Sequence, residues 1–327
     1  MEGGRTLRTR FTVGASIAAM SLLLAGCTST NGGDETTSGA ITVQNCGRTV
    51  SLSAPAKAAI TLNQGATETA LSIGAGEQLI GTAYLDDTIA PQWEQAYNKI
   101  PVLAKEFPDR ETVITRKPDL LLASYGTAFD EKALGSQDEL DALGIATYVS
   151  PFACNDKTKR AESSWDAIAG ETSDNGVLFG RTDEADAVNE RMRDELAAVE
   201  ASAAGRGKSI FWYDSGTTTP YVGGGKGGPQ LIIDAVGARN VFAGIDGNWA
   251  DGDWESVVRA DPDVIVLADA SWDTAQAKRT YLENDPVLKN LKAVKAGSFV
   301  VLPFSTSTPG PRLIDGAVTV SEQLAKR

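Results

Sequence analysis

The chain has 327 residues, 42% of them hydrophobic, with 43 acidic against 30 basic side chains and a formal charge of −13. So negative a surface repels nucleic acid, and the absence of any histidine removes imidazole-based metal capture, histidine-ligated haem and every catalytic triad that needs an imidazole. The length suffices for one large or two medium cores, and no stretch after the amino end is long enough to cross a bilayer.

At the amino end Arg5, Arg8 and Arg10 precede a small-residue and apolar run from Phe11 to Leu24. That is a basic region, a short apolar core and a small-residue cleavage site. The stretch Leu24-Ala25-Gly26-Cys27 resembles the lipobox of bacterial lipoproteins. The resemblance implies that residues 1–26 are a signal peptide and that Cys27 carries the lipid, which places the protein on the extracytoplasmic face of the cell membrane. An ordinary signal peptide cut near a cysteine is the bland alternative. Without residues 1–26 the formal charge becomes about −15, a value that serves solubility outside the cell. With Cys27 used by the lipid, Cys46 and Cys154 remain as an even pair in an oxidising compartment. A bridge between them, favoured over two separate buried thiols, closes a loop of roughly 110 residues and contributes up to about 4.7 kcal/mol in the loop-entropy model.

Residues 27–40 are polar and glycine-rich and are expected to be a flexible tether, with folding from near Ile41. Short apolar runs then alternate with helical patterns. Strands are expected at Thr49–Leu52, Ala59–Thr61, Leu79–Thr82, Leu120–Ser124 and Ala146–Val149. Helices are expected from Thr67 to Ile73, ended by Gly74, and from Asp138 to Leu143, ended by Gly144. Trp165–Phe179 reads as a helix broken by Gly180. From Asp183 to Ala203, Val188, Met192, Leu196 and Val199 make one apolar stripe on a rod about 30 Å long. The pattern then restarts: strand Ser209–Tyr213, helices Pro229–Val236 and Trp254–Ala260, strand Val264–Leu267, short helices at Tyr281–Val287 and Leu291–Val294, strand Phe299–Leu302 and helix Leu313–Leu324. The expected fold is α/β: two Rossmann-like βα lobes, 41–164 and 205–327, joined through residues 165–204 by a single long rigid helix. One large doubly wound domain is the alternative.

Several stretches carry a family resemblance. Ala66-Thr67-Glu68 with Ala70-Leu71 and Ile73-Gly74 is one. Lys117-Pro118-Asp119-Leu120-Leu121-Leu122 and Ala260-Asp261-Pro262-Asp263-Val264-Ile265-Val266 are a pair of "Pro-Asp then strand" signatures. Pro229 to Asn240, followed by Val241-Phe242, is the fourth. In order and spacing they resemble the substrate-binding lipoproteins of bacterial ABC importers, the ferric-siderophore and cobalamin class with a helical backbone between lobes. That resemblance implies an ABC permease and ATPase complex as partner, a small-molecule ligand, no catalysis and no nucleic acid. It implies no resident cofactor or metal, iron entering only inside a bound chelate, and a monomer. It also implies that one acidic residue per lobe docks on the permease, at Glu68 and Glu255.

Open α/β sheets bind ligands at the carboxyl ends of their strands. That nominates Asn63, Gln64, Tyr84, Asp86, Tyr125 and Phe152 from the first lobe. From the second it nominates Tyr213, Asp214, Tyr221, Trp249, Trp272, Phe304 and Arg312. The aromatics suit a large, partly planar ligand. Gly223 to Gly228 lacks the spacing of a phosphate-cradling loop, so Lys226 is either an anion ligand beside a helix start or part of a plain loop. An anionic chelate calls for basic side chains, for which Arg312, Lys226, Arg116 and Arg181 are the candidates; a corrinoid needs few charges. Tyr148 to Cys154 and Trp212 to Gly216 are also similar to an actinobacterial branch associated with a deazaflavin-cofactor precursor. From other classes, a surface glycoside hydrolase with an aspartate pair and an adhesion protein are the rivals.

Overall fold

The computed structural model describes residues 40–326, so the leader, Cys27 and nearly all of the tether lie outside the described residues. The first element is a hairpin of β1 (Ile41–Asn45) and β2 (Arg48–Leu52), antiparallel with Asn45 opposite Arg48. Its turn residues Cys46 and Gly47 both take positive φ, 51° and 77°, the twist that suits a two-residue hairpin loop.

Five parallel strands build the first lobe: β3 (Ala59–Leu62), β4 (Leu79–Ala83), β5 (Val102–Ala104), β6 (Leu120–Ala123) and β7 (Ala146–Val149), in the order β5-β4-β3-β6-β7. Every residue of β3, β6 and β7 is buried. A sheet covered on both faces demands this, and it explains why these strands read as unbroken apolar runs. Ile60, Leu62, Leu121 and Val149 pack on one face, and Ala59, Leu120, Leu122 and Tyr148 on the other. At the β7 edge the Asn45 side chain imitates a strand: its Nδ2 donates to the Val149 carbonyl at 2.7 Å and its Oδ1 accepts from the Val149 N–H at 2.9 Å. Beside it Cys46 and Cys154 form the expected disulfide, with Cα atoms 5.5 Å apart.

Two long helices connect the lobes. Ser164 caps the Trp165–Phe179 helix by accepting from the Ala167 N–H, and Gly180 ends it in the left-handed conformation. The Thr182–Ser202 helix, the expected rod, then runs back along it. Gly176 faces Ala185, and Asn189 Nδ2 donates to the Ala169 carbonyl and Ser173 Oγ. Leu178, Phe179 and Ala185 join the first lobe's core, whereas Ile168, Met192 and Val199 join the second's. The strut is therefore doubled, and each of its helices is anchored at both ends.

The second lobe contains β8 (Ser209–Ser215), β9 (Tyr221–Gly223), β10 (Arg239–Asn240), β11 (Trp249–Asp251), β12 (Val264–Asp269) and β13 (Phe299–Pro303). Their order is β11-β9-β8-β12-β13, with β10 against the start of β8; β8, β12 and β13 are parallel, and β9 and β11 add an antiparallel flank. One expected helix shifts. Tyr281–Val287 is instead Ala275–Asn284, capped by Thr274, and Pro286 lies just beyond its end.

The two lobes share a building unit that the paired Pro-Asp signatures only partly reveal. Asp109 caps the Arg110–Thr115 helix through the Thr112 N–H, and Asp253 caps Trp254–Ala260 through the Ser256 N–H. Each unit then has an exposed glutamate (Glu111, Glu255), a buried valine (Val113, Val257), a positive-φ residue (Lys117, Asp261), a buried proline and a strand. The aspartate after each proline ties its strand to the neighbouring one: Asp119 accepts from the Lys57 and Ala58 N–H groups, Asp263 from the Ser209 N–H.

Candidate functional site

In the first sheet the chain order reverses between β3 and β6, and the carboxyl ends of those strands open a crevice. Gln64, Gly65, Ser124 and Tyr125 sit there, with Ser124 Oγ accepting from the Ala66 N–H at 2.8 Å. The second sheet presents the ends of β8 and β13 and the loop after β12 to the same space. A cavity of about 440 Å³ lies between them, within the range of small-molecule sites.

Of the residues nominated from sequence, Gln64, Asp86, Tyr125, Phe152, Asp214, Tyr221, Trp249, Trp272 and Phe304 line this cavity. Trp272 meets Phe304 edge-on at 5.0 Å between centroids, and Trp249 lies 6.3 Å from Phe304. Tyr125, Tyr221 and Trp272 remain exposed, 39%, 39% and 54% respectively, so the aromatic wall has area to give to a ligand.

The others do different work. Asn63 is fully buried with φ of 72° and holds the Tyr84 carbonyl, and Tyr84 packs edge-on against Phe107. Tyr213 belongs to the second lobe's core beside Phe211 and Trp254, and its hydroxyl donates to the Gly216 carbonyl at 2.8 Å. Lys226 pairs with Asp246 at 2.5 Å, away from the cavity. In its loop the N–H groups of Gly224, Gly225 and Lys226 already donate to the carbonyls of Asn248, Ile245 and Gly247. The glycines there serve close approach: a Cβ on Gly225 would fall 2.1 Å from the Ala243 carbonyl oxygen, and one on Gly228 1.9 Å from that of Ser307.

Glu68 and Arg312 require the largest correction. Glu68, expected on an exposed docking rim, is 2% exposed. Its Oε1 accepts from Arg312 Nη1 at 3.1 Å, Gln64 Nε2 at 2.8 Å and the Ala90 N–H at 3.0 Å. Arg312, expected in the cleft, comes from the opposite lobe and also donates to Ser305 Oγ at 2.7 Å. Ser305 in turn donates to Asp87 at 2.8 Å. The pair is a buried clasp between lobes: every residue of the Gln64–Ser72 helix except Gly65 and Ser72 is buried, so the helix offers Glu68 no exposed rim. By the shared building unit, the first-lobe counterpart of Glu255 is Glu111.

Sequence reasoning missed Glu171. It lines the cavity from the Trp165–Phe179 helix, within a buried stripe that includes Ile168, Thr172 and Asn175. A glutamate on an otherwise inward helix face was the available signal. Burial pushes its carboxyl up to about 7, against a hydrogen bond from Ser150 and with Asp174 adding to the rise. Burial likewise raises Asp86 and Asp214. The other basic candidates are engaged elsewhere, Arg116 on the Ile80 carbonyl and Arg181 on Gln78 and Glu184. Among the described residues, no cluster of three or more Cys, Asp or Glu is arranged to hold a metal ion, and no helix is long and apolar enough to cross a membrane.

Comparison with known proteins fits this architecture. The family model described as "Periplasmic binding protein" matches residues 60–306. The vitamin B12-binding protein of Vibrio vulnificus is 26% identical over 240 residues, 72% of this chain and 80% of that one. Among solved structures, a periplasmic binding protein from Veillonella parvula superimposes with a TM-score of 0.77 at 25% identity, over 88% of this chain and 99% of its own. A protein of an ABC-type Fe3+-hydroxamate transport system from Saccharomonospora viridis gives 0.70 at 25% identity, over 86% and 98%.

Proposed function

The chain belongs to the periplasmic binding protein family, and from that premise we propose that it is a lipoprotein, anchored through Cys27, that delivers a ferric siderophore or corrinoid-like solute to an ABC importer. The observation that carries this reading is the aromatic-walled cavity between two βα lobes at the carboxyl ends of their strands. Relatives named for vitamin B12 and for Fe3+-hydroxamate support the ligand class. The doubled strut limits the motion: with each helix packed into both cores, the lobes rock slightly rather than hinge widely.

Permease docking falls to Glu111 and Glu255, exposed at equivalent places in the two lobes. Beside Glu255 lies a surface groove lined by Trp254, Val258, Tyr281, Val287 and Leu288, which offers apolar area next to the charge. Native mass spectrometry of the protein isolated from its own cells tests the central reading. The expected result is a co-purifying solute of chelate or corrinoid mass. Recovery without solute, together with no tryptophan quenching by ferric hydroxamates, ferric catecholates or corrinoids, refutes it.

A further inference from the structure

The cleft's charge is opposite to what an anionic chelate needs. Its lining includes three carboxylates, Asp86, Glu171 and Asp214, and, among the described residues, no lysine or arginine. Tyr125 and the Gln64 backbone favour the charged form of Asp86, and Ser150 that of Glu171, in each case against the larger effect of burial. Asp214, 6% exposed, has Oδ2 on Ser215 Oγ at 3.2 Å, whereas Oδ1 has no hydrogen-bond partner among the described residues. A buried carboxylate oxygen without a donor is costly, and a ligand donor that reached it would recover that cost; Trp249 Nε1 in the same lining is likewise unpartnered among the described residues and would take an acceptor from the ligand.

The nearest cation does not supply it. Lys278 stands behind Asp214, 1% exposed, with its ammonium on the carbonyls of Ala268 and Asp273. Its field draws the Asp214 carboxyl down, yet burial outweighs it. Arg312, beside the lining residue Ser305, spends its Nη1 on Glu68 and Ser305 and does not itself line the cleft, and its buried Nε has no hydrogen-bond partner among the described residues. Trp249 and Phe304 line the same space, and aromatic faces attract cations and repel anions.

We propose that the cleft selects a solute bearing a positively charged nitrogen, an ammonium or guanidinium, which Asp214 and Glu171 bind beside Trp249 and Phe304. This rests on the solute-binding reading above and narrows its ligand class: a chelate or corrinoid that presents such a group is taken, and a polyanionic catecholate is refused. Charge-assisted hydrogen bonds to a desolvated carboxylate exceed neutral ones by enough to set a preference of about tenfold or more.

Calorimetric titration of the mature chain tests it with four probes. These are a ferric trihydroxamate with a free terminal ammonium, the same chelate with that amine acetylated, a ferric tris-catecholate, and spermidine as a metal-free cation. The free-ammonium chelate is expected to bind at least about tenfold tighter than its acetylated form. That ratio should shrink toward one in Asp214→Asn and in Glu171→Gln and persist in Asp214→Glu. A purely structural role would weaken both chelates alike and leave the ratio unmoved. Thermal melting of each variant verifies the fold, and Glu171→Gln carries the comparison if Asp214→Asn does not fold. An acetylated or anionic chelate that binds as tightly as the ammonium form, or a ratio unchanged in both variants, overturns the proposal. If no chelate binds, the siderophore identity fails and spermidine decides alone: binding that Asp214→Asn weakens at least about tenfold sustains cation selection, and no binding ends it.

Discussion

Replacing Arg312 by leucine should strip the clasp from one side and leave Glu68 buried without its counter-charge. The carboxylate then retains two donors, Gln64 and the Ala90 N–H, and loses its one ion-pair partner among the described residues. Both side chains are almost wholly inaccessible, 10% and 2% exposed, so water cannot substitute while the lobes stay together. Breaking one partner of such a pair costs about 3–5 kcal/mol, far above the near-zero median of surface pairs. Burial already raises the Glu68 carboxyl even with Arg312 present, so removing the arginine raises it further. A raised carboxyl binds its proton more tightly when folded. The penalty is therefore largest at pH 8 and shrinks toward pH 5, where protonation relieves the lone charge. Urea unfolding of wild type, Arg312→Leu, Glu68→Gln and the double variant at both pH values measures this. The double variant should recover at least about 1 kcal/mol relative to the sum of the singles, since it leaves no unpaired charge. Additivity within about 0.5 kcal/mol, or an Arg312→Leu penalty independent of pH, would refute the clasp.

The same sign argument applies to Glu171, raised to about 7 by burial. Its contribution is favourable at acid pH and is lost as pH climbs from about 4.5 to about 7, so Glu171→Gln should stabilise the protein by about 3 kcal/mol at pH 8 and little at pH 4. Thermal unfolding across that range reads the difference, and a variant less stable at pH 8 contradicts it. Opening the Cys46–Cys154 bridge by paired serine substitution should cost about 2–4 kcal/mol in urea unfolding, because it frees a loop spanning 108 residues. A loss below about 0.5 kcal/mol would show the Asn45 contacts to be sufficient alone. Reversing Glu111 or Glu255 to lysine should impair transport in reconstituted importer vesicles while solute affinity stays within about twofold, since rim charges steer encounter rather than fill the cleft. Lost solute affinity would place either glutamate elsewhere.

What the chain discloses at sequence level follows the physics of burial. β3, β6, β7 and β12 are inward on both faces, and so their apolar runs announce them. β9, β10 and β11 span two or three residues each and leave no period to read. Cleft residues were found where strand ends meet aromatics, as at Tyr125, Tyr221, Trp249 and Phe304. Glu171 was not, because it projects from the middle of a helix, where strand-end logic has no purchase. Glu68 was misplaced for a geometric reason. Every residue of the Gln64–Ser72 helix except Gly65 and Ser72 is buried, so Glu68 points inward, and the short motif that carries the family resemblance does not encode that burial.

Closure and charge selection meet at one side chain. An anion entering the cleft would need a guanidinium, and Arg312 is the candidate within reach. Yet Arg312 holds Glu68 across the lobe boundary and Ser305 beside it, and Ser305 reaches Asp87 on the far side. The Arg312 Nη1 is spent there, so turning that nitrogen to an anion would abandon a buried carboxylate at about 3–5 kcal/mol, whereas its buried Nε has no hydrogen-bond partner among the described residues. Arg312 does not line the cavity, and among the described residues Asp214, Glu171 and Asp86 are the charged groups that do. A protein that releases this clasp on opening would present a different charge to solvent from the one it presents to a captured solute. Selection by charge would then occur at closure rather than at first encounter, and a cationic solute should slow dissociation more than it speeds association.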